Sequence, residues 1–368
     1  MNKGASSCCV GLITNHTGRD QSGRRNIDIL TQKGLQVRVI FTPQHGFHPH
    51  TQGASAQVEV DPLTNIPLIN WYHKPLEMLK HAYLNTLDVL IFDLQDSGMR
   101  YGYTSLLLDV MKAAYAYNKP LLILDRPNLL GCPMEGLVLG QEYEEPFNIP
   151  VPIRHGMTTG ELAAYFNAQL FDTAVHMRVV PMQHYHRYAL SKGPFYNVSP
   201  NLASVHSCHG YSFLGLLGEV APFDIGIGTN KAFQCILLPD HLEFPKQKWF
   251  VLQGLLEKYG IESKFYRTLS KRKQEYCSGL ALCVRDINNF SSFSTLLAIM
   301  GFFKKEGLLM TFSSHFDAAI GSNKVREFFE GTLAHKDLKK KVNSELDTFF
   351  SKAFGVFLYK PLPKIIHV

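Results

Sequence analysis

The sequence predicts an α/β protein of two domains, the first built on a parallel sheet with helices on both faces. In the first half of the 368-residue chain, short apolar or β-branched runs alternate with helix-like stretches, which is the pattern of a buried parallel sheet. Hydrophobic residues make up 45% of the chain and charged residues 18%. The chain therefore has enough apolar material for two cores, and disorder is excluded for most of it.

Five apolar runs of the first half are predicted strands, and helix-like stretches lie between them. The strands are predicted at residues 10–13, 37–41, 87–92, 121–124 and in a run that ends at Ile153. The helices are predicted at residues 27–33, 76–85, 105–118 and 158–169. Glu161 follows Thr158 by three residues at the start of the last helix, and this spacing indicates a structural capping box.

The second half is less regular, and we predict a domain boundary near residue 190. Residues 191–210 are rich in Pro, Gly, Ser and Asn and are predicted to be a linker or loop. Helices are predicted at residues 252–259, 293–305 and 325–354, and strands at residues 280–284 and 356–359. The two predicted domains are therefore residues 1–190 and residues 191–368.

Composition argues against several classes of protein. The formal charge of +6 comes from 37 Lys and Arg against 31 Asp and Glu, without a long basic tract, so nucleic acid is not an expected partner. The apolar runs are too short to span a bilayer and no signal-peptide pattern follows Lys3, so we expect no membrane partner and a cytoplasmic protein. Seven cysteines without a Cys-x-x-Cys pair indicate reduced thiols. The oligomeric state is left open.

Polar, hydrogen-bonding side chains follow every predicted strand of the first half. They are Asn15 and His16 after the first run, Gln44 and His45 after the second, Asp93 and Asp96 after the third, Asp125, Arg126 and Asn128 after the fourth, and Arg154 and His155 after the fifth. The carboxyl ends of parallel strands meet at one edge of a sheet, and ligands bind in the crevice there. The sequence therefore predicts a functional site at this edge.

Other motifs do not explain these residues. No Gly-x-Gly-x-x-Gly follows the first run, and the sequence has no phosphate-binding Gly-Lys-Ser/Thr loop and no Gly-x-Ser-x-Gly elbow. Two groups of possible metal ligands do not have the usual ligand spacing, so we expect neither a metal nor another cofactor. These groups are His45, His48 and His50, and His206, Cys208 and His209.

Four acidic residues fall near the predicted edge, and sugar-cleaving acid/base chemistry normally needs a pair of carboxylates. They are Asp93, Asp96, Asp125 and Glu135. Each is equally suited to be the ionic partner of Arg100, Arg126 or Arg154. The residues alone leave the catalytic and the ion-pair interpretation open.

Seven segments, in order, resemble the motifs of one known family. They are residues 11–18 (GLITNHTG), 43–46 (PQHG), 92–100 (FDLQDSGMR), 125–128 (DRPN), 135–136 (EG), 154–162 (RHGMTTGEL) and 199–201 (SPN). Phe316, Asp317, Gly321 and Arg326 continue the resemblance toward the end of the chain. On these motifs the chain is identified as a member of the exo-β-N-acetylmuramidase family, the NamZ-like proteins of glycoside hydrolase family 171.

The resemblance implies a Rossmann-like N-terminal domain, a smaller α/β C-terminal domain and a cleft between them. It implies release of N-acetylmuramic acid from the non-reducing end of peptidoglycan fragments, without a cofactor, so the expected partner is a peptidoglycan-derived sugar or muropeptide. The expected catalytic positions are Gln44, His45, Asp93, Asp96 and Glu135. The expected substrate-binding residues are Asn15, Arg100, Asp125, Arg126, Asn128, Arg154, His155, Asn201 and Glu219.

The chain departs from the family motifs at positions of the implied site. Gln44 stands where the family has its proposed catalytic glutamate, and an amide cannot ionise or transfer a proton as a carboxyl group does. Pro222, Ile225 and Ile227 stand where the family has Asn, Glu and Arg. Polar side chains that would line the cleft from the second domain are therefore replaced.

Three hypotheses follow from the resemblance and the departures. The first is a working exo-glycosidase in which another carboxylate acts, with Asp93, Asp96, Glu135 and Glu219 as candidates, and in which the 2-acetamido group of the substrate can replace an enzymic nucleophile. The second is a non-catalytic sugar-binding relative of the same fold. The third is a different hydrolase or transferase, since a fold does not determine a function.

Overall fold

The structure is a computed structural model that describes residues 8–48, 59–72, 77–139, 149–188 and 195–368. Its strands are β1 (Cys9–Thr14), β2 (Gln36–Thr42), β3 (Glu59–Val60), β4 (Pro67–Asn70), β5 (Val89–Asp93), β6 (Leu121–Leu124), β7 (Pro133–Val138), β8 (Pro152–Arg154), β9 (Met177–Val180), β10 (Val220–Ala221), β11 (Cys235–Pro239), β12 (Ile261–Leu269), β13 (Tyr276–Val284), β14 (Thr311–Phe312) and β15 (Lys364–Ile365). Its α-helices are α1 (Asn26–Gln32), α2 (Glu77–Thr86), α3 (Thr104–Ala116), α4 (Thr159–Gln169), α5 (Val205–Leu217), α6 (Lys246–Lys258), α7 (Ser292–Lys305), α8 (Phe316–Ile320), α9 (Lys324–Glu330) and α10 (His335–Ala353).

The largest sheet has the strand order β3-β4-β2-β1-β5-β6-β9. All neighbouring strands in it run parallel except β3 and β4. The chain builds outward from β1 through β2 and β4, and then returns to place β5, β6 and β9 on the other side of β1. The strand order therefore reverses between β1 and β5, and we call this place the switch point.

The sheet is buried on both faces because its strands are apolar at consecutive positions. In β1, Leu12 belongs to a cluster with Ile27 of α1. The next residue, Ile13, belongs to the main core with residues of α3 such as Leu106. Side chains alternate along a strand, so one strand supplies two cores on opposite faces. The predicted α/β class with a parallel sheet is confirmed.

The first four predicted strands are found in this sheet. The fifth run also forms a strand, but its predicted place in the parallel sheet is wrong. The run that ends at Ile153 forms β8, which pairs antiparallel with β7 in a separate small sheet. Arg154, the last residue of β8, is completely buried, and its guanidinium group binds Glu135 of β7. This contact holds β8 beside β7. The strand at that edge of the main sheet is β9, which pairs parallel with β6 and whose residues alternate between partly buried and exposed.

The second half departs from three predictions. Helix α5 begins inside the predicted loop of residues 191–210, where Ser204 and Ser207 form a capping box. The predicted helix 325–354 is two helices, because Gly331 takes the left-handed conformation (φ +86°) that ends α9. The predicted strand 356–359 is not formed, and β15 instead pairs with β7 of the first half. The domain boundary predicted near residue 190 falls at residues 189–194, outside the described residues, and stays a prediction.

A fully buried ion pair, Arg154 with Glu135, joins the two halves of the chain. The Nη1 of Arg154 lies 2.8 Å from Oε1 of Glu135. The Glu135 carboxylate also accepts from the backbone N–H groups of Ser292 and Phe293, at 2.9 and 3.1 Å, and from the Ser291 hydroxyl, at 2.9 Å. It therefore caps the start of α7. The guanidinium group also donates to backbone carbonyls of Leu130, Ile287 and Phe290.

No helix in the described part of the chain combines the length and the hydropathy needed to cross a lipid bilayer.

We expect Arg154→Met to lower the free energy of unfolding by about 3 kcal/mol or more, because it leaves the Glu135 carboxylate buried without a cation. Adding Glu135→Gln to the same chain should recover part of this loss. Denaturant titration followed by circular dichroism measures both effects. Arg24→Met is the matched control, since the Arg24 side chain is 65% exposed in its ion pair with Asp20, and it should cost less than about 1 kcal/mol. Equal losses from the two arginine variants would contradict the structural role of Arg154.

Candidate active site

Asp93 ends β5 at the switch point, where it pairs in register with Thr14 of β1. Its carboxylate accepts from Nε of Arg126 at 2.5 Å and from Nδ2 of Asn26 at 2.8 Å. The side-chain oxygen of Thr14 donates to the Asp93 carbonyl at 2.8 Å. These contacts bring the carboxyl ends of β1, β5 and β6 together and neutralise Asp93 with a cation.

Asp96 lies three residues further along the same loop and is held differently. One carboxyl oxygen accepts the backbone N–H of Tyr103 at 2.7 Å, and the other accepts that of Gly98 at 3.2 Å. No lysine or arginine among the described residues forms an ion pair with it, and the residue is 9% exposed. Burial raises the pKa of Asp96, against the opposing effect of the backbone N–H groups. The Asp96 carboxyl group at the switch point therefore keeps its proton to a higher pH than an exposed aspartate does.

His155 brings an imidazole to this carboxyl group although β8 lies outside the main sheet. Its Nδ1 accepts the backbone N–H of Met157 at 3.2 Å, and its Nε2 lies 3.9 Å from Oδ2 of Asp96. Burial lowers the pKa of His155 to about 3, and the positive charges of Arg100 and Arg154 act in the same direction. The imidazole is therefore neutral over the physiological range.

Asp125, at the end of β6, is fully engaged by four donors. Its Oδ1 accepts the backbone N–H groups of Gly160 at 2.7 Å and Arg126 at 2.9 Å. Its Oδ2 accepts the hydroxyls of Thr158 and Tyr359, both at 2.7 Å. Burial raises the pKa of Asp125. The residue ties the start of α4 and the C-terminal segment to the sheet edge.

Three of the predicted site residues bind protein groups away from Asp96. Arg100 donates to the backbone carbonyl of Leu137 at 3.1 Å and to that of Ala319 at 2.6 Å, which links the first half to α8. Glu135 and Arg154 bind each other in the buried ion pair described above. The structure therefore places these three side chains between the two halves of the chain.

Asn15 and Asn128 shape the loops that carry the strand ends. The Oδ1 of Asn15 accepts the backbone N–H of Thr17 at 2.9 Å. The Nδ2 of Asn128 donates to the carbonyl of Met157 at 2.9 Å, the residue whose backbone N–H binds His155. Both amides thus fix backbone at the edge where the site was predicted.

Tyr103 is a residue that the sequence analysis missed. Its hydroxyl donates to the carbonyl of Val198 at 2.9 Å and lies 3.4 Å from Nδ2 of Asn15, while its backbone N–H binds Asp96. It therefore connects β1, β5 and the loop before α5. Its only signal in the sequence is its position three residues after Arg100, the last residue of the motif at 92–100.

Gln44 and His45 follow β2 and are exposed. The backbone carbonyl of Gln44 lies 3.3 Å from Nδ2 of Asn70. The same loop is tied to the end of β1, because the backbone N–H of His16 donates to the carbonyl of Phe47 at 3.0 Å. The Gln44 loop thus lies beside the switch point, with its side chains open to solvent.

Asn201 and Glu219 come from the second half of the chain. The Oδ1 of Asn201 accepts the backbone N–H of Gly228 at 3.2 Å, which places it against the segment where the family motif has changed. Glu219 accepts the hydroxyl of Ser313 at 2.5 Å. The described contacts do not bring Glu219 to Asp96.

The two isoleucines that replace charged family residues are mainly core residues. Ile225 is 5% exposed and belongs to the main core. Ile227 is partly buried against the same core. Apolar packing explains why this segment tolerates isoleucine at both positions.

The described residues contain no group of three or more His, Cys, Asp or Glu side chains arranged to hold a metal ion. His50 of the first histidine group lies outside them. In the second group, the rings of His206 and His209 are 6.2 Å apart.

Family models match both halves of the chain. The model described as "Exo-beta-N-acetylmuramidase NamZ, N-terminal" matches residues 10–206, and its C-terminal counterpart matches residues 209–359. The Peptidoglycan beta-N-acetylmuramidase NamZ of Bacillus subtilis (strain 168) is 33% identical to this chain over 303 residues, which are 79% of this chain and 72% of that protein.

Crystal structures of two DUF1343 family proteins from Bacteroides fragilis NCTC 9343 have the same fold. The first has a TM-score of 0.83 at 26% identity and covers 95% of this chain and 94% of its own. The second has a TM-score of 0.73 at 24% identity, with coverage of 96% and 94%, and shows the likeness of fold alone. Together with the two family models, the sequence identity shows that this chain belongs to the exo-β-N-acetylmuramidase NamZ family.

Proposed function

We propose that this chain is an exo-acting glycoside hydrolase that releases N-acetylmuramic acid from the non-reducing end of peptidoglycan fragments. Family membership over both halves supports the reaction class, as does the relative named as a peptidoglycan beta-N-acetylmuramidase. The observation that carries the proposal is the buried carboxyl group of Asp96, which has no cationic partner among the described residues and lies at the switch point.

Asp96 is the proposed general acid, in place of the glutamate that Gln44 replaces. Asp93 is neutralised by Arg126, and Asp125 and Glu135 each accept four hydrogen bonds from protein donors. A general acid must keep its proton near neutral pH, and burial without a cation is the environment that achieves this. Asp96 has that environment. Asp125 is also buried without a cation, but its carboxylate accepts four donors whereas that of Asp96 accepts two.

The nucleophile of the proposed reaction is the 2-acetamido group of the substrate. Its carbonyl oxygen forms a bond to C1 while the glycosidic C–O bond breaks, and the leaving oxygen takes the proton of Asp96. Water then opens the cyclic intermediate and returns a proton to the Asp96 carboxylate. Gln44 is proposed to hydrogen-bond the acetamido group, a role that an amide performs without ionising.

The proposed ligand is a peptidoglycan-derived sugar or muropeptide. The Gln44 loop, the Asp96 loop and the loop that contains Val198 have contacts beside the switch point, and open α/β sheets bind ligands at such a place. A cytoplasmic location, and action on recycled wall fragments there, stay predictions from the sequence.

A non-catalytic sugar-binding relative is the second candidate function. Gln44 favours it, because the position cannot supply a proton or a carboxylate nucleophile. Such a protein would keep the crevice and its ligand but not the reaction.

We expect the unchanged protein to hydrolyse a chromogenic β-N-acetylmuraminide, and Asp96→Asn to lower kcat/KM by about 100-fold or more, because the general acid is removed. Asp172→Asn, at an exposed position, is the matched control and should keep full activity. Release of the chromophore by purified protein measures all three.

Gln44→Glu separates the two candidate functions in the same assay. An inactive natural protein that becomes active as Gln44→Glu would contradict the hydrolase proposal and favour the binding relative. Inactivity of both proteins would exclude this substrate for the chain.

Asp96 should also make stability depend on pH. Since its pKa is raised in the folded state, the folded form holds this proton more tightly than the unfolded chain. The free energy of unfolding therefore falls as pH rises from the ordinary aspartate range through the raised pKa. Asp96→Asn removes this dependence, so we expect the stability of the variant relative to the natural protein to grow as pH rises above the ordinary aspartate range. A difference that stays constant over that range, measured by denaturant titration, would contradict the raised pKa.

A further inference from the structure

We propose that His155 is a positioning residue for Asp96, whose Nε2–H donates to the Asp96 carboxylate once that group has lost its proton. The inference rests on the proposed function, in which Asp96 gives its proton to the leaving oxygen. It adds a specific partner for the charge that this transfer creates.

The position of the proton on His155 follows from one hydrogen bond. Nδ1 lies 3.2 Å from the backbone nitrogen of Met157, which can only donate, so Nδ1 must be the unprotonated acceptor. In a neutral imidazole the proton is then on Nε2. His155 therefore presents an N–H group, rather than a lone pair, on the side of Asp96.

This N–H group has no hydrogen-bond partner among the described residues, although His155 is only 1% exposed. Buried donors are normally satisfied, and an unsatisfied one costs free energy. The nearest carboxyl oxygen, Oδ2 of Asp96, is 3.9 Å away, which is about 1 Å beyond hydrogen-bond distance. The donor is therefore aimed at the carboxyl group without yet binding it.

The other described side chains that face Asp96 are neutral, so they offer its carboxylate no positive charge in place of the His155 N–H group. Tyr103, Tyr211 and Cys208 face Asp96, and burial raises the pKa of each of them, so all three are neutral. Burial keeps His155 uncharged, and the positive charges of Arg100 and Arg154 act in the same direction. Arg154 itself binds the Glu135 carboxylate. The His155 N–H is thus the side-chain donor placed to hydrogen-bond Oδ2 of Asp96 when that carboxylate is charged.

Loss of the Asp96 proton makes a hydrogen bond between His155 Nε2 and Asp96 Oδ2 more favourable. A neutral carboxyl group gains little from a donor at 3.9 Å, whereas a buried carboxylate gains a charge-assisted hydrogen bond if the two groups close together. Both groups are anchored through backbone contacts, Asp96 by two N–H groups and His155 by one. Closing the gap requires a movement of about 1 Å between the two side chains.

The test is the titration of the Asp96 carboxyl group by carbon-13 NMR in His155→Leu and His155→Gln, beside the natural protein. The glutamine amide nitrogen occupies nearly the place of Nε2 and keeps a donor, whereas leucine removes it. We expect His155→Leu to move the midpoint to higher pH by about one unit and His155→Gln to restore it, since a charge-assisted bond is worth about that much.

His209→Leu is the matched control. His209 is also a buried imidazole whose ring nitrogens have no partner among the described residues, but Asp96 is not among the groups that act on it. Its replacement should leave the Asp96 midpoint unchanged. An equal shift in this variant, or no shift in His155→Leu, would overturn the inference.

Nitrogen-15 NMR of the natural protein gives a test that does not depend on any variant folding. A proton found on Nδ1 of His155 would overturn the inference, and one on Nε2 supports it. Neither titration needs turnover. A protein inactive toward muraminides that still shows the histidine-dependent midpoint refutes the proposed function alone, whereas an active protein without it refutes this inference alone.

Discussion

The arrangement of the site depends on the buried guanidinium group of Arg154. It satisfies the Glu135 carboxylate of β7 and carbonyls before α7, so it joins the small β7–β8 sheet to the second half of the chain. A charge removed from water is tolerated when an opposite charge and hydrogen-bond partners lie this close to it. The same anchoring fixes the residue that follows, His155, beside Asp96, and the positive charge helps to keep that imidazole neutral. One interaction thus sets both the position and the charge state of a neighbour of the candidate acid.

Most charged residues at the sheet edge are used to hold the structure together. Asp93 binds Arg126 and Asn26, and Asp125 binds the start of α4 and Tyr359. These contacts neutralise or saturate each carboxylate. Asp96 differs because it is buried and binds backbone N–H groups but no cation. Its burial raises the free energy of the ionised form. Such an unfavourable environment is typical of a group whose proton is used in chemistry.

The sequence predicted the parallel sheet well, because the strands from β1 to β6 that carry long apolar runs are buried on both faces. It failed to place β8, since the apolar residues that precede the buried Arg154 have the same signal as a strand of the main sheet. It also failed at α5, where a capping box lies within a loop-like composition. The strand ends were identified correctly as a group, but sequence alone could not separate Asp96 from Asp93, Asp125 and Glu135. That distinction depends on which donors reach each oxygen, and these donors come from distant parts of the chain.

The proposed function requires that the switch point between β1 and β5 binds the sugar and that Asp96 meets its leaving oxygen. A crystal structure of the protein with a non-hydrolysable β-N-acetylmuraminide tests this claim most directly. We expect the sugar at the carboxyl ends of β1 and β5, with its glycosidic heteroatom within hydrogen-bond distance of Asp96 and its acetamido group beside Gln44. A sugar bound elsewhere on the protein, or one at the switch point whose glycosidic atom lies away from Asp96, would contradict the account.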